Sequence, residues 1–374
     1  MTADTRADHA HLDLLLPEDR DFLRDTTNTH VPDPGSRTRA QLRAMSPDEV
    51  LIYNHERAAW HAALPLLGTR AVRSTMLELD MAGTSADYHE MHSQRVSVLD
   101  GEPGVGKSMI ARHHAAFEMT RLARLHYLRF QRDQTPADGH RGASRNDFRP
   151  VLYLHLDGAV TKTELLRTMC DRLNWPVDRD LPGSLSRAMK TLGTKLVVID
   201  ELQFVNFDGK TGRQVHNALK WITNNGIRLV LSGNDIDWVL GDRGGAERES
   251  SRRQSRGRWI PLTIPRMPYA TKEDRADWAM VLTAFEERLR LAVPHRPGWL
   301  SEDLAAYTWA STLGYLNSLT TLILNAASRA ALTRTEVIDR NLLDRITLEG
   351  HPEEGRRNRL ALLDAGELSF SKTA

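Results

Sequence analysis

Between residues 95 and 264, short apolar runs alternate with longer amphipathic stretches. The apolar runs predict strands at residues 95–100, 150–157, 195–200, 227–233 and 259–264. Apolar positions at helical spacing predict helices over residues 107–130, 161–175, 184–192 and 211–225. Strands that alternate with helices predict a parallel sheet with helices on both faces. This part of the chain is therefore expected to be an α/β domain.

The pattern changes on both sides of this region. Ser46, followed by Pro47 and Glu49, has the signature of a helix start, and a second helix is expected over 69–82. From 271 to 348 the pattern is helical only. We therefore expect four segments: a partly disordered and helical N-terminal extension (1–94), the α/β domain (95–267), a small all-helical domain (268–348) and a flexible, charged C-terminal tail (349–374).

Composition and charge exclude several classes of protein. The 374 residues fit roughly two domains. Hydrophobic residues make up 40% of the chain, too many for a disordered protein. The 50 basic and 49 acidic residues give a net charge of +1, which argues against a uniformly basic coat for nucleic acid but leaves room for a local basic patch.

The cellular setting is expected to be the cytoplasm, without a membrane partner. The single cysteine, Cys170, excludes a disulfide framework and a cysteine-rich zinc site. No apolar run approaches the length of a membrane span. The first residues carry acids and histidines where a secretion signal needs basic residues and a long apolar stretch.

Residues 101–108 read GEPGVGKS, which satisfies the phosphate-loop pattern G-x-x-x-x-G-K-[ST]. The motif stands directly after a predicted strand and directly before a predicted helix, the context that makes it convincing. Backbone N–H groups and the helix N-terminus would face phosphates, Lys107 would reach the β- and γ-phosphates, and Ser108 would ligate Mg²⁺. We expect an ATP-binding loop formed by Gly101, Glu102, Pro103, Gly104, Val105, Gly106, Lys107, Ser108 and Met109.

A second motif, KLVVIDEL (195–202), is an apolar strand that ends in two carboxylates. In this Walker B arrangement Asp200 would hold Mg²⁺ and Glu201 would polarise the attacking water. The alternative for Glu201 is that it merely caps the next helix.

Two further elements could complete the site. A polar residue at the tip of the strand 227–233 would lie between the first two motifs; Asn234 is the first choice, Ser232 its competitor, and a simple turn the alternative. The segment 243–258 carries a cluster of arginines, which is either a solvated basic loop or the source of an arginine finger for a neighbouring subunit. The cluster consists of Arg243, Arg248, Arg252, Arg253, Arg256 and Arg258.

With these motifs in place, residues 95–348 resemble the AAA+ ATPases of the TniB/TnsC type, regulators of Tn7-like and related transposons. The motifs above are common to many NTPases, so the resemblance depends on other segments. These are PVLYLHLDGAVTKTELLRTMCDRLNWPV (150–177), HNALKWITNNGIRLVLSGND (216–235), RWIPLTIPRM (258–267) and the helical lid (285–332) with its Gly314-Tyr315-Leu316 turn.

The resemblance implies a P-loop AAA+ fold followed by a helical lid. Matched residue by residue, it implies a site of Lys107, Ser108, Asp200, Glu201, Asn234 and the trans-acting Arg258, with Arg253 in reserve. Two departures stand out: the lid turn offers Asn317 and no arginine, and Asp157-Gly158 replaces the polar-Pro element that contacts DNA in the family.

The resemblance also implies partners: copies of the chain in a ring or filament, duplex DNA without sequence specificity, a transposase and a target selector. Candidate DNA contacts are Lys162, Lys210 and Arg213. Arginines between residues 121 and 149 could add to them or be solvated faces.

Three other functions compete with transposition control. An initiator or helicase loader usually appends a winged-helix domain after the lid, where only residues 349–374 follow here. A defence-signalling ATPase would sense a ligand through C-terminal repeats, and this chain has none. A non-catalytic scaffold conflicts with the presence of Lys107, Asp200 and Glu201.

Overall fold

The computed structural model describes residues 10–27, 30–88, 95–132, 148–158, 160–205, 209–234 and 259–370. Their strands form one five-stranded parallel sheet in the order β2-β3-β4-β1-β5. The strands are β1 (Val96–Asp100), β2 (Val151–His155), β3 (Leu196–Asp200), β4 (Arg228–Ser232) and β5 (Trp259–Thr263). Each lies within two residues of its predicted bounds, and the predicted α/β architecture is confirmed.

The strand register places the ends of the two motif strands near each other. β4 pairs with β1 on one side, with Val98 opposite Leu231, and with β3 on the other, with Ile199 opposite Leu231. The carboxyl ends of β1, β4 and β3 therefore lie side by side at one edge of the sheet. That edge is where the chain leaves β1 into the GEPGVGKS loop and where β3 ends at Asp200.

The helices begin where local caps satisfy their first N–H groups. Ser46 with Glu49 and Thr161 with Glu164 form reciprocal capping boxes, as predicted for Ser46. The helices are α1 (Pro17–Thr27), α2 (Arg39–Ala44), α3 (Pro47–Ala62), α4 (Arg70–Tyr88), α5 (Lys107–Arg132), α6 (Lys162–Arg172), α7 (Leu181–Thr191), α8 (Gly209–Asn224), α9 (Lys272–Arg288), α10 (Ala305–Thr312), α11 (Leu316–Leu332), α12 (Arg340–Leu343), α13 (Gly350–Glu353) and α14 (Arg356–Asp364). Among the described residues, none of these helices has the combined length and apolarity that crossing a bilayer demands.

Helix α7 begins three residues before its predicted start at Ser184. The Asp180 side chain accepts a hydrogen bond from the Gly183 N–H, and Pro182 lies in the first turn, where its missing N–H costs nothing. The apolar spacing alone did not reveal this cap.

The chain divides into two compact units, of which the first comprises Met1–Thr27, Ser74–Gly101 and Lys107–Ile264. It contains the sheet. Its core is formed by the buried faces of the strands and of α6, α7 and α8, with Val98, Leu154, Val197, Leu231, Leu165, Met169, Leu185 and Leu219 among its members.

The start of the chain is folded onto this first unit. Leu15 is fully buried and forms a bridge to Phe148, while the Arg149 guanidinium donates to the Asp19 carboxylate at 3.0 Å. Phe22 of α1 packs on the Tyr153 ring of β2, with 5.3 Å between ring centroids. The described residues between 10 and 88 are thus divided between the two units.

The second unit comprises Asn28–Arg73, Glu102–Gly106 and Pro265–Ala374. Its core is helical and includes Trp278, Leu282, Leu319 and Ile323. Helix α3 is tied to it by an ion pair between Arg57 and Glu336, 2.8 Å apart and 3% exposed on each side. A buried pair of this kind requires both partners, because either charge alone would be left unsolvated.

The expectation of a flexible tail after residue 349 is wrong for the described residues. They form α13 and α14, and Leu360 belongs to the buried core of the second unit. Arg356 is 4% exposed and donates to the backbone carbonyls of Ile346 and Leu343. The charged composition predicts a solvated segment, but the Arg356 guanidinium is buried and donates to backbone carbonyls of the fold.

Candidate nucleotide site

The GEPGVGKS loop owes its shape to glycines in backbone conformations that other residues avoid. Gly104 has φ +80° and Gly106 has φ +101°. A Cβ atom at Gly104 would also lie 3.2 Å from the Cβ of Asn317. The loop can therefore keep this course only with glycine at these positions.

Lys107, the first residue of α5, points back toward the end of β1. Its side chain is buried, and its Nζ donates to the Gly101 carbonyl at 2.8 Å and to Asn234 Oδ1 at 2.7 Å. A lysine at the start of a helix, directly after a glycine-rich loop, is an environment that suits phosphate. Ser108 follows in the first turn and is partly exposed, whereas Val105 is buried and Met109 is 44% exposed.

Asp200, at the end of β3, has one carboxylate oxygen engaged and one free. Tyr153 of β2 donates its hydroxyl to Oδ2 at 3.0 Å. Oδ1 is buried and has no hydrogen-bond partner among the described residues, although Asp200 is only 1% exposed. A buried carboxylate oxygen left without a donor suits a cation, and Mg²⁺ prefers such oxygen ligands together with substrate phosphates. Asp200 therefore fits its predicted role.

The environment of Tyr153 keeps its hydroxyl protonated. Burial, and then the neighbouring Asp200 charge and hydrogen bond, raise the pKa of Tyr153 well above its usual range. The hydroxyl is thus a permanent donor, which fixes the orientation of the Asp200 carboxylate. His155 lies at the same strand end, with Nδ1 3.6 Å from Asp200 Oδ2.

Glu201 does not cap the helix that follows it. Its backbone is left-handed, at φ +61°, and its side chain makes no capping hydrogen bond to the 3₁₀ turn Leu202–Phe204. Instead the Glu201 carboxylate accepts a hydrogen bond from Gln203 Nε2. A left-handed conformation costs roughly 1–2 kcal/mol for a residue with a Cβ, so the surroundings must impose it.

Of the two polar candidates at the end of β4, Asn234 is the one whose side chain contacts Lys107. Ser232 is buried within the strand, opposite Leu99 of β1. Asn234 lies two residues beyond it, with Oδ1 on Lys107 and its backbone N–H donating to Gln203 Oε1 at 3.1 Å. Lys107, Asn234, Gln203 and Glu201 are therefore joined in one hydrogen-bonded chain within the first unit.

Residues 102–106 of the loop cluster with the second unit, where the turn before α11 meets them. The Tyr315 hydroxyl donates to the Glu102 carboxylate, and the Asn317 N–H donates to the Gly104 carbonyl at 3.1 Å. Burial, aided by Glu102, raises the pKa of Tyr315 to about 12. The guanidinium of Arg266 lies over the Tyr315 ring, 5.8 Å from its centroid. The Asn317 side chain is engaged elsewhere, on Glu349.

Several predicted residues remain untested by this geometry. Arg253 and Arg258 lie outside the described residues. Lys210 and Arg213 fall in α8, where only the backbone is described, and Lys162 is partly exposed at the first position of α6.

Two of the arginines considered for DNA are committed to carboxylates within the fold. Arg149 is buried against Asp19, and Arg121 pairs with the buried Glu118 at 2.7 Å. Neither guanidinium is free for a phosphate backbone, so the basic stretch between residues 121 and 149 is smaller than its sequence suggests.

Three residues at the site were missed from the sequence: Tyr153, His155 and Gln203. Tyr153 and His155 alternate on one face of β2, and the register sets His155 opposite Asp200. Polar side chains at period two in an otherwise apolar strand were the available signal. Gln203 gave a weaker signal, since a polar residue after a strand is ordinary in a turn.

Comparison with known proteins finds a similarity for this part of the chain. Residues 89–237 match the family model described as AAA domain. No curated protein is close enough in sequence to count as a relative. The parallel five-stranded sheet, the phosphate loop and the helical C-terminal part agree with this match and give the chain a P-loop AAA+ fold.

Among solved structures, the chain is similar to Cdc6p from Pyrobaculum aerophilum, with 16% identity and a TM-score of 0.46, over 71% of this chain and 63% of that one. It thus spans less than two thirds of the Cdc6p chain. Domain III of the Thermotoga maritima replication initiation protein DnaA has 14% identity and a TM-score of 0.37, over 71% and 88%. C. elegans PCH-2 has 11% identity and a TM-score of 0.43, over 77% and 68%.

Proposed function

We propose that the chain is a Mg²⁺-dependent ATPase that assembles on duplex DNA and regulates a transposase. The observation that carries the catalytic part is the hydrogen-bonded chain from Lys107 through Asn234 and Gln203 to Glu201, beside the free Oδ1 of Asp200. It joins a phosphate-binding lysine to a carboxylate that can act on water.

Each residue of the site then has a separate task. Lys107 and the loop N–H groups bind the β- and γ-phosphates, while Asp200 and Ser108 would hold Mg²⁺, which would neutralise charge on those phosphates. Glu201 orients and polarises the attacking water, and Asn234 supports the γ-phosphate or that water. Glu201 is partly exposed, so water can reach it without any rearrangement of the core.

A carboxylate-to-amide change at Asp200 tests the metal role. Asp200→Asn keeps the shape of the side chain but replaces a carboxylate ligand with a neutral amide, which binds Mg²⁺ more weakly. The rate of phosphate release should therefore fall by roughly 100-fold or more. The matched control is Asp171→Asn, because this carboxylate on α6 is exposed and away from the site and should matter little. Equal rates in the two variants would contradict the assignment.

We further propose that the active site is completed between subunits, with Arg258 as the trans-acting group and Arg253 in reserve. Support comes from the resemblance and from the arginine cluster at 243–258. Arg258→Ala should abolish turnover while monomeric ATP affinity stays unchanged. Mixing it with Lys107→Ala should restore some activity, because each protein supplies what the other lacks; each variant alone, at the same total concentration, is the control. Absence of rescue between folded proteins would contradict a shared site.

We propose that DNA is held by Lys162, Lys210 and Arg213, repeated along an oligomer. Many weak phosphate contacts add up along a duplex, which lets a chain of net charge +1 bind it. ATP should favour assembly because the γ-phosphate would be bridged by the neighbour's arginine. Binding should need ATP or a non-hydrolysable analogue, weaken with salt and ignore sequence.

Two triple variants separate these contacts from general charge. Changing Lys162, Lys210 and Arg213 to alanine should make the plot of log DNA affinity against log salt concentration less steep. The slope should fall by about one unit for each lost phosphate contact. Changing the exposed Lys190, Lys195 and Lys272 removes the same charge and should leave the slope unchanged. DNA affinity that is equal with and without nucleotide would contradict ATP-driven assembly.

The transposase role is supported by the segments that resemble TniB/TnsC proteins. It is tested by strand transfer with the transposase of a Tn7-like element, in the presence and absence of the protein. Insertion should require the protein and ATP. Strand transfer that proceeds equally well without the protein would contradict this role. If the protein then recruited a replicative helicase to DNA, the chain would be assigned to replication initiation.

A further inference from the structure

Gln203 uses both ends of its side-chain amide at the candidate site. Its Oε1 accepts the Asn234 N–H at 3.1 Å, and its Nε2 donates to the Glu201 carboxylate. The orientation of the amide follows from its neighbours. A backbone N–H can only donate and a carboxylate only accept, so the oxygen must face Asn234 and the nitrogen Glu201.

The turn that carries Gln203 is anchored on both sides. Leu202 is fully buried and Val205 is 1% exposed, whereas Gln203 between them is partly exposed and turns toward the site. Glu201, just before the turn, has a left-handed backbone and no capping bond to the turn. Among the described residues, Gln203 is the hydrogen-bond donor that the structure places on its carboxylate.

We propose that Gln203 is a positioning residue for ATP hydrolysis, which holds the Glu201 carboxylate in register with Asn234 and thereby with Lys107. This rests on the proposed ATPase function. The donor end of the amide fixes one oxygen of Glu201 and leaves the other for water. The acceptor end binds the backbone N–H of Asn234, just after β4, and the Asn234 side chain in turn accepts a hydrogen bond from Lys107 at 2.7 Å. Gln203 itself need not touch nucleotide.

Replacing Gln203 with a side chain of similar length that cannot hydrogen-bond tests the proposal. Gln203→Met should lower kcat by roughly 10- to 100-fold, the effect of losing one hydrogen bond to a charged group. KM and nucleotide affinity should not change, because Lys107 and the loop remain. The control is Gln214→Met on the exposed face of α8, which should keep the parental kcat.

Gln203→Glu separates the two ends of the amide. A carboxylate can still accept the Asn234 N–H but cannot donate to Glu201, and it repels that charge. This variant should therefore be as slow as Gln203→Met. A parental rate in Gln203→Glu would overturn the proposal, because support of Asn234 alone would then suffice.

A double-mutant comparison distinguishes positioning from general stability. If Gln203 acts through Glu201, Gln203→Met should have no further effect on the hydrolysis rate in a Glu201→Gln background. An equal fold-loss in both backgrounds would overturn the proposal and assign Gln203 a structural role. Nucleotide affinity, measured on every variant, reports folding independently of turnover.

The same experiment distinguishes failure of the proposal from failure of the proposed function. If the parental protein binds ATP but never hydrolyses it, the proposed ATPase function is contradicted. Parental protein that hydrolyses ATP, with Gln203→Met at the same rate, would leave the function intact and remove only the role of Gln203.

Discussion

The phosphate loop and the end of strand β3 hold their reactive groups by different means. In the loop, backbone conformation sets the geometry. Gly104 and Gly106 adopt positive φ values, and the Lys107 side chain donates to the Gly101 carbonyl. At the end of β3, side chains from other elements position the acids. Tyr153 orients Asp200, and Gln203 orients Glu201.

This difference suggests that the loop serves ATP binding and that the end of β3 serves hydrolysis. On the proposed function, the loop N–H groups and the Lys107 ammonium bind phosphate independently of the hydrolysis step, so changes in the loop should lower ATP affinity. On the same proposal, the Asp200 and Glu201 carboxylates act on metal and water, so changes there should lower the turnover rate. Variants in the two regions should therefore change different kinetic constants.

The largest effect is expected at Glu201. Glu201→Gln keeps the shape and the hydrogen bond from Gln203 but removes the base, so turnover should fall by roughly 100- to 10,000-fold at unchanged ATP affinity. Phosphate release at saturating ATP is the measurement, and Glu354→Gln, at a carboxylate 79% exposed, is the control. Parental turnover in Glu201→Gln would show that the water is activated elsewhere.

Lys107→Ala should produce the opposite pattern. Losing the charged bonds to phosphate should weaken nucleotide binding by about 100-fold, measured by titration with a fluorescent nucleotide. Lys195→Ala, at an exposed lysine just before β3, should bind as the parent does. The contrast between the two regions would fail if Lys107→Ala bound ATP normally and lost only hydrolysis.

Gly104→Ala tests whether backbone shape, not residue charge, makes the loop. The positive φ and the close Asn317 Cβ should cost about 1–2 kcal/mol, or roughly tenfold in affinity. Gly226→Ala is a matched control, since Gly226 also has positive φ, +76°, with no atom within 4 Å of the added Cβ. It should lower stability and leave affinity alone; equal affinity losses in both would indicate global strain.

Tyr153→Phe should give the smallest effect. Asp200 would lose its fixed donor while keeping its charge, so the Mg²⁺ concentration for half-maximal hydrolysis should rise by roughly 3- to 10-fold. Tyr127→Phe on α5 provides the control. An unchanged Mg²⁺ requirement would mean that Asp200 is oriented by its strand alone.

The same contrast explains which parts were predictable. The loop, Asp200 and Asn234 follow contiguous patterns of strand, turn and polar tip, so their placement required only the parallel sheet. Tyr153 and Gln203 could not be assigned because their roles depend on which strand lies beside β3 and how the next turn folds. The tail from 350 to 364 was misjudged because Arg356 is spent on buried carbonyls, which a charged sequence does not reveal.

The most direct test of the account is a single-turnover experiment with labelled ATP bound in the presence of a chelator, followed by addition of excess Mg²⁺. Lys107 and the loop should retain ATP without metal, and hydrolysis should begin only when Mg²⁺ reaches Asp200 and Ser108. The account predicts no labelled phosphate before the addition and a rapid release after it, nearly absent in Glu201→Gln. Bound ATP that stays intact after Mg²⁺ is added, or is cleaved equally before it, would contradict the central claim.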